Sequence, residues 1–380
     1  MRSHHLRFAL LLVLAVWTSA LATGAWAADA EYVIHISIDG LRGDFLATMM
    51  RDTTQLRNFR RFVTEGASTF NARTDYANTV TLPNHATMLT GRPVLQPAGQ
   101  PNTVHHGYIW NVDPAPTTTL HNSGGNPNVT YFASVFDVVH DAGLSTALYA
   151  SKSKFVLYDR SWDGAHGAPD EVPPDNGSDK IDGYVNLWSA TTPPTAAPMH
   201  AALIANMSAS PVRYCFVHYQ DLDAIGHLNG WGSSAWQNGV RVVDGYLRDI
   251  FSLVETQPQL AGRTTVVLSA DHGGNNTNHS DVTIYYNYNV PFFVWGAGVA
   301  RGVNIYALNA STRLDPGTGR PDYNAATQPI RNGDGANLAL KLLGLGAIRG
   351  SSINARQDLL VRVPVAVERS SWSAMKKAWR

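Results

Sequence analysis

The chain has 380 residues, with 29 Lys+Arg against 29 Asp+Glu, so no bulk charge draws it to nucleic acid or an anionic membrane. A composition of 44% hydrophobic and 15% charged residues excludes intrinsic disorder, and a single cysteine excludes a disulfide framework or a multi-cysteine zinc finger. The length suits one large α/β domain or two smaller ones.

Residues 1–7 carry Arg2 and Arg7, residues 8–18 (FALLLVLAVWT) are apolar, and Ala25-Trp26-Ala27 is a small-x-small site. This pattern reads as a secretory signal peptide over 1–27, cleaved after Ala27, and the apolar run is short for a membrane span. An uncleaved anchor is the alternative. The expectation is a secreted or periplasmic protein with no stable membrane span after cleavage.

Residues 32–38 (YVIHISI) are nearly continuous in apolar and β-branched side chains, as in strands of buried parallel sheets. Similar runs recur at 145–150, 212–219, 264–270 and 291–296, and Cys215 lies inside one of them as an expected core residue. Helical patterns fall at 53–65, 84–91, 132–142, 195–208, 234–256 and 335–344. The alternation predicts an α/β fold with a mostly parallel central sheet and helices on both faces. Stretches 93–130 and 159–193, rich in Pro, Gly, Asn and Asp, are too long for ordinary connections and read as active-site loops or a small cap. The catalytic domain is expected over 28–364, followed by a tail, 365–380, with no assigned role.

Three predicted strands end in carboxylates: Asp39, Asp221 with Asp223, and Asp271. Open α/β sheets bind ligands beyond these carboxyl ends. Asp223-x-x-x-His227 can place a carboxylate and an imidazole on one metal ion. Asp271 and His272 are adjacent, so their side chains are expected to diverge and serve two metals. Oxygen and imidazole donors without thiolate suit zinc, and also manganese or iron. After His272 the chain holds one more histidine, His279, the only candidate for a third nitrogen ligand from that part; a loop histidine is the plain alternative. His35, His140, His200 and His218 lack a carboxylate at ligand spacing and read as core or surface residues. A helix is expected to begin near Asn84, and a hydroxyl just before it, Thr81, would face unpaired N–H groups suited to a phosphoryl oxygen. Thr81 would equally serve as a simple N-cap.

Ile38-Asp39-Gly40-Leu41-Arg42, Thr79-Val80-Thr81-Leu82-Pro83-Asn84-His85, His106-Gly107-Tyr108-Ile109-Trp110-Asn111, Asp223-x-x-x-His227 and Ser269-Ala270-Asp271-His272-Gly273 occur in that order. Together they resemble the alkaline phosphatase superfamily, in particular its type I phosphodiesterase/nucleotide pyrophosphatase branch. The resemblance implies an alkaline phosphatase-like fold and a two-metal hydrolase of small phosphate esters. One metal would be held by Asp39, Thr81, Asp271 and His272. The other would be held by Asp223, His227 and His279. Thr81 would be the nucleophile, giving a phosphothreonine intermediate, with Asn111 donating to a phosphoryl oxygen. Duplex nucleic acid is not an expected partner.

Two departures qualify the resemblance. His279 follows His272 by seven residues, where that branch has a much longer insertion, and the loop between Thr81 and Asn111 is long. Ser151-Lys152-Ser153-Lys154-Phe155 resembles a Lys-x-Lys element of superfamily members that act on phosphomonoesters or phosphonates. Lys152 and Lys154 are therefore candidate substrate-binding residues, and a phosphomonoesterase or phosphonate hydrolase is the alternative function. A non-catalytic, metal-stabilised binding protein is the reading from a different class.

Overall fold

The structure, a computed structural model, describes residues 29–122, 124–170 and 177–362. The expected signal segment and C-terminal tail lie outside these residues.

Eight strands form one sheet: β1 (Tyr32–Ile38), β2 (Ala67–Arg73), β3 (Thr146–Ala150), β4 (Gly183–Asn186), β5 (Tyr214–Tyr219), β6 (Thr264–Ser269), β7 (Asn289–Gly296) and β8 (Val303–Asn304). Their order is β4-β3-β5-β1-β6-β7-β2-β8. The pairs on the β4–β6 side are parallel, whereas β7 runs antiparallel to both β6 and β2. Every residue of β1, β3, β5 and β6 is buried, as expected where helices cover both faces of a parallel sheet. The helices pack in two groups. Thr81–Thr90, Val135–Asp141 and Asp334–Leu342 contact one another, and the last of these packs on β1 and β6. Arg57–Glu65, Ala197–Ala209 and Asp221–Asn229 gather around the long helix Ser234–Thr256.

Among the described residues, no helix is long and apolar enough to cross a membrane. Cys215 is buried on β5, where loss of solvation pushes its thiol well up from the ordinary range. β2 escapes the hydrophobic pattern because its sequence, ASTFNAR, is mostly small and polar and carries an irregularity between Thr69 and Ala72. The stretch 159–193 is more than loop: it takes in the end of the helix Val156–Ser161 and the edge strand β4. The segment that carries Thr81 is helical from that residue, three residues before the expected start near Asn84. Pro83 lies in its first turn, where an N–H has no partner within the helix anyway.

Candidate metal centre

The register of the sheet brings the acids together. β1 is central, with Ile38 opposite Tyr219 of β5 and Ser37 opposite Ser269 of β6. The chain therefore leaves all three strands at the same edge, and Asp39, Asp223 and Asp271 emerge there, all buried. Helix Asp221–Asn229 starts directly after β5, and its i,i+4 spacing sets Asp223 Oδ1 3.2 Å from His227 Nε2. Gly40 makes the convergence possible. Its φ is +76°, and a Cβ there would lie 3.0 Å from the Asp223 backbone. Trp231 closes the floor: its Nε1 donates to Gly40 O at 2.8 Å, and its ring occupies the space a Cβ of Gly226 or Gly274 would need.

The three imidazoles are oriented by backbone carbonyls. Nδ1 of His227, His272 and His279 lies 2.9, 2.8 and 2.7 Å from the oxygens of Thr277, Gly273 and Thr79. A carbonyl only accepts, so Nδ1 carries the proton and Nε2 presents its lone pair inward. His272 Nε2 lies 3.3 Å from Asp39 Oδ1, 3.3 Å from Asp271 Oδ2 and 4.0 Å from Asp223 Oδ1. His279 Nε2 lies 3.5 Å from Asp223 Oδ1 and 3.1 Å from His227 Nε2. Two imidazole lone pairs that close repel each other unless a cation or proton lies between them. Asp39 Oδ1, Asp223 Oδ1, Asp271 Oδ2 and His272 Nε2 are all buried and make no hydrogen bond. Orphaned acceptors on one spot are costly without a cation. The donor set thus fits divalent metal at two overlapping positions, one framed by Asp223, His227 and His279 and one by Asp39, Asp223 and His272.

The charge balance agrees. Burial opposes ionisation of Asp39 and Asp223, yet the Lys152 ammonium and neighbouring imidazoles hold both well below the usual carboxylate range. Asp271 goes the other way: burial and the charges of Asp39 and Asp223 push it well up. Burial lowers His272, and His279 to about 3, so both rings are neutral and able to ligate. The facing Asp223 carboxylate, 3.2 Å away, raises His227 instead, so a proton and a metal compete for its Nε2. His227 is the exposed member, and the centre opens to solvent on its side.

Thr81 is buried as the first residue of its helix. It is bracketed by Thr79, whose carbonyl holds His279, and by His85, whose Nδ1 is 2.8 Å from Thr81 O and 3.6 Å from Asp271 Oδ2. The Leu82 N–H donates to Asn111 Oδ1 at 3.0 Å. That bond fixes the amide orientation and leaves Asn111 Nδ2 as a donor beside the helix N-terminus. Lys154 Nζ donates to Asn111 O at 2.8 Å, while Lys152 Nζ lies 2.6 Å from both Asp39 Oδ2 and Asp223 Oδ2.

Three sequence expectations change. Asp271 and His272 do not diverge to separate metals, since the turn after β6 brings their tips together. His218 is not without a carboxylate: its Nε2 lies 3.0 Å from Asp39 Oδ2, and it sits at the end of β5 opposite Ser37. His140 and His200 also meet acids, at 3.3 Å from Asp182 and 3.4 Å from Asp249, away from the centre. Each of these contacts joins distant segments, so spacing along the chain could not reveal them. The position of His85 on the inner face of the helix Thr81–Thr90, with Nε2 2.9 Å from Ser37 Oγ, depends on helix packing and has no signal in local spacing.

Residues 33–292 match the profile of the type I phosphodiesterase / nucleotide pyrophosphatase family. Murine ectonucleotide pyrophosphatase/phosphodiesterase 5, in an inactive threonine-to-alanine variant bound to AMP, superposes with a TM-score of 0.55 at 14% identity, covering 87% of this chain and 100% of that one. An alkaline phosphatase superfamily protein from Vibrio parahaemolyticus gives 0.52 at 13%, covering 86% and 69%. A curated relative, GPI ethanolamine phosphate transferase 1 from Neurospora crassa, is 32% identical over 91 residues, which span 23% of this chain and only 8% of that protein.

Proposed function

The chain belongs to the type I phosphodiesterase / nucleotide pyrophosphatase family, and from that premise we propose that it is a two-metal phosphodiesterase or nucleotide pyrophosphatase acting through a phosphothreonine at Thr81. The carrying observation is the convergence of Asp39, Asp223, Asp271, His227, His272 and His279 on one spot beside the helix that Thr81 begins. Two divalent cations, of which zinc suits the oxygen and imidazole donors best, would lower the Thr81 hydroxyl pKa, offset phosphoryl charge and activate water there.

The chain's own groups supply the rest. Thr81 Oγ1 passes its proton to solvent on the open side of the centre and attacks phosphorus in line, forming the threonine–phosphorus ester as the bond to the leaving oxygen breaks and that oxygen takes a proton from water. Asn111 Nδ2 and the Thr81 backbone N–H donate to phosphoryl oxygens whose charge grows in the transition state. Water then attacks phosphorus from the vacated side, its oxygen stays on the released phosphate, the bond from phosphorus to Thr81 Oγ1 breaks, and a proton from that water restores the hydroxyl. Asp223, His227 and His279 would hold one ion, and Asp39, Asp271, His272 and Thr81 the other. The two lysines weigh against a monoesterase, because Lys152 is committed to Asp39 and Asp223 and Lys154 to the Asn111 carbonyl. The N-terminal segment supports action outside the cytoplasm.

Zinc-loaded protein should hydrolyse bis(4-nitrophenyl) phosphate faster than 4-nitrophenyl phosphate and should cleave a dinucleotide pyrophosphate. Thr81→Ala should cost at least about a thousandfold in kcat while still binding metal, and acid-quenched wild-type enzyme should carry phosphothreonine. Thr81→Ala with wild-type turnover, or a monoester preference, would reverse the assignment.

A further inference from the structure

The two carboxylates at the heart of the centre divide their oxygens between two tasks. Asp39 Oδ1 and Asp223 Oδ1 have no hydrogen-bond partner and face the imidazoles, at 3.3 Å from His272 Nε2 and at 3.2 and 3.5 Å from His227 and His279 Nε2. The other oxygens, Asp39 Oδ2 and Asp223 Oδ2, each lie 2.6 Å from Lys152 Nζ. Asp39 Oδ2 also receives His218 Nε2 at 3.0 Å, and the Ser151 backbone N–H points at His218 Nδ1 from 3.4 Å. An N–H donated to Nδ1 leaves the His218 proton on Nε2, where it can only be given to the carboxylate.

Lys152 therefore stands on the outer side of both carboxylates, away from the converging lone pairs. Its carbonyl accepts from Asn186 Nδ2 at 3.0 Å and from the Phe155 N–H at 3.1 Å, which fixes the backbone from which the side chain reaches inward. The side chain is only 13% exposed. An ammonium has three donors and no acceptor, and two of the three are spent on Asp39, which frames one ion position, and on Asp223, which both positions share.

We propose that Lys152, seconded by His218, is a positioning residue that ties Asp39 to Asp223 through their outer oxygens and so sets the spacing of the two metal positions, without touching the phosphoryl group. This inference rests on the two-metal reading above. It replaces the sequence expectation that Lys152 binds substrate.

The test is zinc titration of chelator-stripped wild type and Lys152→Met, by calorimetry and by competition with a chromophoric chelator, alongside kinetics on a monoester and a diester. Wild type should take two ions. Lys152→Met should lose about 10–100-fold in affinity for at least one of them. Its kcat should fall in the same proportion for both esters, with both KM values within about twofold of wild type. Lys152→Arg, whose guanidinium can span both carboxylates, should recover most of the zinc affinity.

Unchanged or tighter zinc binding in Lys152→Met would overturn the inference. A tenfold rise in the monoester KM with intact metal uptake would do so too, and would make Lys152 a phosphate ligand. A wild-type protein that takes up no zinc would instead defeat the two-metal reading itself. Should Lys152→Met not fold, a crystal structure of zinc-loaded wild type with orthovanadate decides. Nζ on both Oδ2 atoms and off the vanadate supports the inference, and Nζ on a vanadate oxygen overturns it.

Discussion

Stripping metal from the centre should destabilise the protein by an amount that scales with the number of ions held. Without a cation, Asp39 Oδ1, Asp223 Oδ1, Asp271 Oδ2 and His272 Nε2 remain buried and unpaired, and the His227 and His279 lone pairs face each other at 3.1 Å. An ion bound only by the folded state adds about 2.7 kcal/mol at a free concentration of 100 Kd, and about 1.4 kcal/mol more for each further tenfold. For a folded unit of ~330 residues the unfolding entropy is about 0.7 kcal/mol per degree. Two sites at 100 Kd then raise Tm by about 8 °C, with about 4 °C more per tenfold in zinc. His279→Gln removes a ligand from one position only, so its slope should fall to about 2 °C per tenfold. Differential scanning fluorimetry across a buffered zinc series, with and without a chelator, reads both slopes. A wild-type Tm that ignores zinc, or a His279→Gln slope equal to wild type, would refute the reasoning.

Two further predictions concern residues outside the ligand set. Gly40→Ala combines a φ of +76° with a Cβ 3.0 Å from the Asp223 backbone. It should cost about 2–4 kcal/mol by urea unfolding and weaken zinc uptake, because the backbone that must move carries a ligand. Asp159, on the helix Val156–Ser161, is pushed up to about 6 by burial and by the nearby charges of Asp179 and Asp163. A carboxyl whose folded value is raised adds stability at low pH that is lost as pH climbs from about 4 through about 6. Asp159→Asn should therefore be about 1–2 kcal/mol more stable than wild type at pH 8, after allowance for solvent screening, with the gap closing below pH 4. A gap independent of pH in urea melts would contradict that cause.

What the sequence revealed depended on how locally each feature is encoded. β1 and β5 are apolar runs bounded by Asp39 and Asp221, and both boundaries were readable because a buried strand has to stop where a charge begins. The pairing of Asp223 with His227 is legible because only three residues separate them, close enough to share one ion. The helix Asp221–Asn229 that carries them was not, since its polar first turn looks like a loop. The sequence marks Lys152 as a cation for substrate, but its partners lie 113 and 71 residues away and are set by sheet order. The bond between His218 and Asp39 has the same origin. The antiparallel course of β7 left no trace, because a strand buried on both faces reads the same in either direction.

The candidate ligands at the sheet edge are drawn from both ends of a long span of chain, Asp39 at its start and His279 near its finish. A growing polypeptide could not assemble either ion position until β6 and the turn that follows it had been synthesised and threaded beside β1. Capture of the ion would then report completion of the sheet's central strands, and a chain stalled or clipped before Asp271 would stay metal-free and exposed to proteases. Pulse-labelled protein should accordingly gain protease resistance and bound zinc in the same step.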